Sequence, residues 1–386
     1  MREVKKGSLQ FVQRYNQTLI LRLIRQRAPL SRYQLAKLTQ LSPTTVGAAV
    51  EELLSMGLLR ETEGSSTGGR KPRMLELNAK GNMVLAVGFM GGQFALCNLQ
   101  GQILQQHPLV FKSQDGPGML GELAEQLKAF LEAQERENVL GVGISIPGLV
   151  DPETGRVLFS SYLGWQHLPL ADRLNEALGL PVVVENDGIA LALGETIFRE
   201  ALERGEEDFI YLHAGYGIGA TLVLGGEIQR GSGQLAGEIG HMSIDWQGPQ
   251  CSCGNRGCLE TLISIPRLLA RYQSLTGTAI NYSQFREKLE GGDEAALAVL
   301  DYCGTLLGVG LVNICNLLNP QLILLGGDLS LLGAKLLQKL EENISSHALP
   351  GTREVTVQIA GPHGGGELAG AAAMVVERMF TLPYVG

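Results

Sequence analysis

Three cysteines, Cys251, Cys253 and Cys258, stand within eight residues, and His241 lies ten positions before the first of them. Thiolates and an imidazole are soft donors, and one His with three Cys fills a tetrahedral shell. Spacing this tight, with Gly254 and Gly257 inside it, predicts a knuckle closed around structural Zn2+. His241, Cys251, Cys253 and Cys258 are its expected ligands, and no position is left open for catalysis. Glu238 and Glu260 flank the knuckle. Carboxylates there are suited to receive the hydroxyl hydrogens of a polyol, although a plain surface role fits each as well. The remaining Cys97, Cys303 and Cys315 sit apart in apolar stretches and are expected as buried free thiols.

Two further places have chemical potential. Glu185-Asn186-Asp187 follows the strand-like Pro181–Val184, and ligands of open α/β sheets bind at the carboxyl ends of strands. Asp187 could serve there as a general base or a hydroxyl acceptor; the triplet would equally make a turn and helix cap. The alternating glycines of Ala214–Ala220 and the paired Gly326-Gly327 could cradle a phosphate through backbone N–H groups. Such glycines also occur in ordinary hairpins.

The elements that position these groups begin near residue 81. Met83–Val87 and Phe94–Asn98 flank Gly91-Gly92 as a hairpin, and Gly101 turns into another strand. A helix over 119–134 precedes a strand over Val139–Ile146, which ends in Pro147-Gly148. Phe209–His213, Thr221–Leu224 and Leu322–Leu325 add strands. The pattern is that of an α/β body.

Residues 1–80 differ. Leu19, Ile20, Leu23 and Ile24 repeat with helical spacing up to Ala28-Pro29. Ser31 with Gln34 forms a capping-box pattern for a second helix to about Thr39. Ser42 followed by Pro43 opens a third, which buries Val46, Ala49, Val50, Leu53 and Leu54 and closes at Gly57. Two short helices about a tight turn form a helix-turn-helix. Its third helix would bring Ser42, Pro43, Thr44 and Thr45 to double-stranded DNA. Glu63–Arg73 then makes a glycine-rich basic loop between strands, a wing from which Arg70, Lys71 and Arg73 would reach phosphates or the minor groove.

Charge supports this division. The chain holds 31 basic and 39 acidic residues for a net −8, yet residues 1–80 hold 14 and 6 of them, a balance of +8. The rest, with 17 against 33, carries −16. A basic head draws polyanions while an acidic body repels them. No uncharged apolar run of about 18 residues and no signal-peptide pattern is present, which points to a cytoplasmic protein without membrane partners.

On Pro147-Gly148-Leu149-Val150-Asp151, Glu185-Asn186-Asp187, Gly237–His241 and the Cys251–Glu260 knuckle, the whole chain resembles the ROK family. The Gly69-Arg70-Lys71-Pro72 wing is similar to its repressor branch, and Gly237–Asp245 with Gly248-Pro249 looks closest to bacterial xylose repressors. The resemblance implies a winged helix-turn-helix head (residues 1–80) on a two-lobed actin/hexokinase-like, ribonuclease H-like body. The lobes would span 81–195, completed by a C-terminal helix over 366–380, and 196–365. It further implies a homodimer and a monosaccharide effector, such as xylose or glucose, held between lobes by Asn186, Asp187, Glu238, His241 and Glu260. In the family's kinases the residue matching Asp187 is the catalytic base.

The phosphate motifs depart from the kinase pattern. Asp-x-Gly-Gly-Thr is replaced by Phe89-Met90-Gly91-Gly92-Gln93, Gly-Thr-Gly by Gly215-Tyr216-Gly217, and the Ala-Asn after the Asp by Gly188-Ile189. Phosphoryl transfer rests on positioning and neutralising phosphates. The expectation is therefore a regulator with no catalytic residues, Asp187 being a vestigial base; a sugar kinase with a fused head is the alternative.

Overall fold

Local capping chemistry decides the head. The structure, a computed structural model, describes residues 9–64, 71–78, 81–133, 138–198, 208–361 and 366–380. The head comprises α1 (Leu9–Arg27), β1 (Leu30–Ser31), α2 (Arg32–Thr39), α3 (Pro43–Ser55), β2 (Leu59–Glu63) and β3 (Arg73–Leu77). Both arms of the Ser31 capping box form: the Gln34 amide donates to Ser31 Oγ at 3.3 Å, and the Ser31 amide to Gln34 Oε1 at 2.8 Å. Ser42 Oγ accepts from the Thr45 amide at 3.1 Å, with Pro43 in the first turn of α3. Gly57, at φ 68°, ends that helix. Ile20, Ile24, Leu35, Val46, Val50 and Leu53 are buried between the three helices, and each such side chain contributes about 1.5–3 kcal/mol. The strands pair antiparallel in the order β1-β3-β2.

The chain divides into two compact units, Met1–Arg199 with His363–Gly386, and Glu200–Pro362. Behind the head, the first unit holds β4 (Met83–Gly88), β5 (Gln93–Asn98), β6 (Ile103–Pro108), α4 (Gly116–Ala133) and β7 (Val139–Ile146). A small antiparallel sheet follows, made of β8 (Leu149–Asp151), β9 (Arg156–Ser160) and β10 (Trp165–Leu168). Then come α5 (Leu170–Leu178), β11 (Val182–Asn186) and α6 (Asp187–Phe198). The main sheet has the order β11-β7-β4-β5-β6; β4, β5 and β6 meander antiparallel, and β7 and β11 are added parallel. Parallel addition requires crossovers, which α4 and α5 provide. Their apolar faces, Leu123, Leu127, Leu131, Leu170 and Leu174, are buried in the core beneath that sheet.

The second unit repeats this plan. Its strands β12 (Phe209–Ala214), β13 (Ile218–Leu224), β14 (Glu227–Gln229), β15 (Leu322–Gly326) and β16 (Thr356–Ile359) take the order β14-β13-β12-β15-β16, again a meander followed by two parallel strands. Helices α7 (Leu259–Ile263), α8 (Ile265–Thr276), α9 (Tyr282–Glu290), α10 (Glu294–Leu318) and α11 (Ala334–His347) complete it. By length and composition α10 is apolar enough to cross a membrane, although Thr305, Asn313 and Asn316 interrupt its apolar run. Its Leu300, Cys303, Leu307, Leu311, Ile314 and Cys315 are packed in the core of this unit.

The chain then returns to the first unit as α12 (Gly366–Phe380), whose small residues Ala369, Ala371, Ala372 and Ala373 are buried where it lies against α6, β4 and β7. The lone cysteines behave as hydrophobes: burial pushes the thiols of Cys97 and Cys303 up to about 12 and that of Cys315 to about 11.

Candidate functional site

Backbone turns shape the knuckle, and Ile239 and Leu259 at its flanks anchor it in the apolar core of the second unit. The Cys251 amide donates to Asn255 O, the Gly254 amide to Cys251 O, and the Gly257 amide to Pro249 O. Gly257 has φ 60°, and a Cβ there would lie 1.5 Å from Asp245 O, so only glycine fits. His241 arrives from a 3₁₀ turn over Ile239–His241, and an isolated bridge joins Ser243 to Cys258.

The result brings all four expected ligands together, their donor atoms within 4.8 Å of one another. Cys251 Sγ lies 3.6 Å from His241 Nδ1, and Cys253 Sγ lies 3.7 Å from Cys258 Sγ. Sulfurs about 2.3 Å and a nitrogen about 2.0 Å from a central ion at tetrahedral angles would be about 3.8 Å (S–S) and about 3.6 Å (S–N) apart. A disulfide needs about 2.05 Å. The electrostatics agree. A hydrogen bond from the Cys253 amide, with further help from the neighbouring thiols and His241, draws the Cys251 thiol down to about 6. Burial, reinforced by Cys251 and Cys253, pushes Cys258 up to about 12. The cluster can hold a metal ion.

The family's sequence pattern matches residues 84–378. This chain belongs to the ROK family. Its relatives include the xylose repressor of Bacillus spizizenii, 32% identical over 88% of this chain and 89% of that protein. A solved ROK family transcriptional regulator, a homologue of the Escherichia coli MLC protein, superposes with a TM-score of 0.84 at 28% identity over 96% of this chain and 97% of its own. A ROK family glucokinase from Streptomyces griseus, solved with glucose and AMPPNP, gives 0.64 at 27% identity over 75% of this chain and 98% of that one.

In this ROK chain the other candidate residues are placed as follows. Asn186 ends β11 and caps α6: its Oδ1 accepts from the amides of Gly188 (2.9 Å) and Ile189 (3.3 Å). Its Nδ2 donates to Gly148 O and to Asp187 Oδ1, both at 2.9 Å. The Asn186 amide is therefore fully engaged, and it aims Asp187 while fixing the Pro147-Gly148 turn. In the second unit, Glu238 is exposed at the start of the 3₁₀ turn, and its carboxylate has no protein partner among the described residues. Glu260, in the first turn of α7, accepts from the Ile218 amide through Oε2 at 3.0 Å.

On the head, Thr44 is exposed, whereas the Thr45 hydroxyl is 2.8 Å from Ser42 Oγ and so is partly spent on the cap. Arg70 lies outside the described residues. Lys71 pairs with Glu63 at 3.0 Å and Arg73 with Glu61 at 2.7 Å. Arg32, which composition did not single out, also bonds Glu61 and reaches Glu51 at 2.7 Å. These arginines, Arg32 first, hold the Glu61 carboxyl below the usual carboxylate range.

Glu367 is a further residue that sequence reasoning missed. From the first turn of α12 its Oε1 accepts the Met90 amide at 3.1 Å and its Oε2 the Gly91 amide at 2.8 Å. Both donors lie in the β4–β5 turn. Burial raises this carboxyl above its ordinary range despite the two amides. No local signal marks Glu367, because its partners are 277 and 276 residues away.

Proposed function

We propose that this chain is a sugar-responsive, DNA-binding transcriptional repressor of carbohydrate-utilisation genes, one that releases its operator when a monosaccharide such as xylose or glucose binds the body. One observation carries the reading: the family match begins at residue 84, and what precedes it folds as a capped helix-turn-helix with a two-stranded wing. A sugar kinase needs no such head. In this reading two copies of the chain pair, so that two heads meet two half-sites on operator DNA. Ser42, Pro43 and Thr44 face the major groove, and phosphates displace Glu61 and Glu63 from Arg73 and Lys71, with Arg70 alongside.

Zinc is the metal that the donor set favours, held by His241, Cys251, Cys253 and Cys258 as a structural cross-link. With Nδ1 turned toward Cys251, His241 keeps Nε2 for an effector hydroxyl. Asp187, Glu238 and the second oxygen of Glu260 accept sugar hydroxyls, and the part of Asn186 is to orient Asp187.

Fluorescence anisotropy on the chain's own promoter DNA, titrated with xylose, glucose and N-acetylglucosamine, tests this. One sugar should weaken binding by about 5- to 150-fold, the usual span of allosteric coupling. Glu238→Ala should abolish that response and leave DNA affinity intact. If no neutral sugar shifts the affinity, the sensing assignment is wrong. The retained Asp187 favours a second reading, an ATP-dependent sugar kinase with a fused head; ATP-dependent phosphorylation of a hexose or pentose by the full chain would establish it.

A further inference from the structure

The β4–β5 turn is an anion site built into the first unit. Consecutive amides of Met90 and Gly91 point the same way, and two such donors make a concavity that can hold the oxygens of an anion, against the opposing pull of burial and of Asp187. The group they hold is the chain's own Glu367, which also sits in the first turn of α12, where the helix dipole favours an anion. Gly88 leaves room for it: a Cβ at that position would come within 2.6 Å of Glu367 Oε2. Donors, space and helix end all converge on one carboxylate.

We propose that Glu367 is a tethered anion that denies this turn to phosphate, and that the turn binds inorganic phosphate or pyrophosphate once Glu367 is removed. The proposal deepens the non-phosphorylating reading of the body and rests on it. A phosphate oxygen would need the same two N–H groups. It would compete with a carboxylate of the same charge whose local concentration is set by the fold, at least in the millimolar range typical of tethered ligands. Dilute phosphate loses that competition. Glu367 thus sets what the turn can bind, complementing the loss of the Asp and Thr of the kinase motif at Phe89 and Gln93.

The test is calorimetric titration of sodium pyrophosphate at neutral pH into the full-length wild type, Glu367→Gly and Glu367→Gln, each checked by circular dichroism and thermal melting. Pyrophosphate is used because Tyr216 alters the second phosphate motif, so a nucleotide is not the fair probe. Glu367→Gly should bind at least about tenfold tighter than wild type, and Glu367→Gln should fall between them. A folded Glu367→Gly that binds no better than wild type overturns the proposal, as does a wild type that binds equally well. If Glu367→Gly does not fold, Glu367→Gln decides, since it keeps the size and removes the charge: equality with wild type overturns, and tighter binding supports. Phosphorylation of sugar by the wild type would remove the underlying reading together with the proposal. An inert wild type with a folded, non-binding Glu367→Gly removes the proposal alone.

Discussion

The two units share one strand order, and in each a glutamate from the first turn of a helix reaches the hairpin between the first two strands. Glu367 gives both oxygens to the β4–β5 turn, one to Met90 and one to Gly91. Glu260 gives a single oxygen to Ile218 at the β12–β13 hairpin. Its other oxygen has no protein partner among the described residues. Equivalent places in a repeated plan have thus diverged: the first turn is sealed from within, whereas the second keeps an acceptor in reserve. A carboxylate already satisfied by backbone amides gains little from a ligand hydroxyl; one with a spare lone pair gains a hydrogen bond.

The largest effect that would sharpen this contrast comes from the knuckle beside Glu260. Removing metal with a chelator, or replacing Cys258 with Ser, should cost the second unit about 3 kcal/mol or more, roughly 6–12 °C in melting temperature. Calorimetry should show that transition falling while the first unit's stays in place. A fall confined to the first unit would break the assignment of the cross-link.

Next comes Gly88→Ala. Its methyl would push against Glu367 Oε2, and the two amide bonds would loosen at a cost of about 1–2 kcal/mol, readable from urea unfolding. A smaller effect depends on pH. Because the Glu367 carboxyl titrates above its ordinary range in the folded protein, folding favours its protonated form. Wild type should hold its greatest margin over Glu367→Gln below about pH 4, near the unfolded carboxylate value, and lose it as pH rises through the raised folded value. Thermal melts of both proteins across pH 3.5–8 measure this; a margin that grows with pH would refute the burial argument. Smallest is Gly217→Ala. A Cβ there would lie 3.5 Å from Glu260 Oε2, an ordinary contact, so the change should stay within about 0.5 kcal/mol in the same unfolding assay. Equal costs at Gly88 and Gly217 would erase the distinction between the sealed and the open turn.

What could be read in advance follows the same divide between local and distant chemistry. The ligand set from His241 to Cys258 was legible because its members lie within one short stretch and each brings its own coordination preference. The Ser31 and Ser42 caps were legible because a cap and its amide are three residues apart. Strand Val139–Ile146 showed as an apolar run bounded by turn residues. By contrast, nothing near Glu367 announces a partner almost the length of the chain away. The small sheet β8–β10 escaped because its strands are three to five residues long and carry no clear alternation. The hydrogen bonds of Asn186 to Gly148, Asp187 and the start of α6 depend on the tertiary arrangement, which no local pattern announces. On the wing, composition gave the basic residues Lys71 and Arg73; their pairing with Glu63 and Glu61 depends on strand register.

The late return of α12 also sets an order of events during synthesis. The whole second unit leaves the ribosome before the helix that covers β4, β7 and α6, so the first unit waits with that apolar face open. Domains generally fold as they emerge, N-terminal ones first. Here the first unit starts earliest and finishes last, and a message truncated before residue 366 would yield a chain carrying the head but lacking the helix that completes its neighbouring sheet.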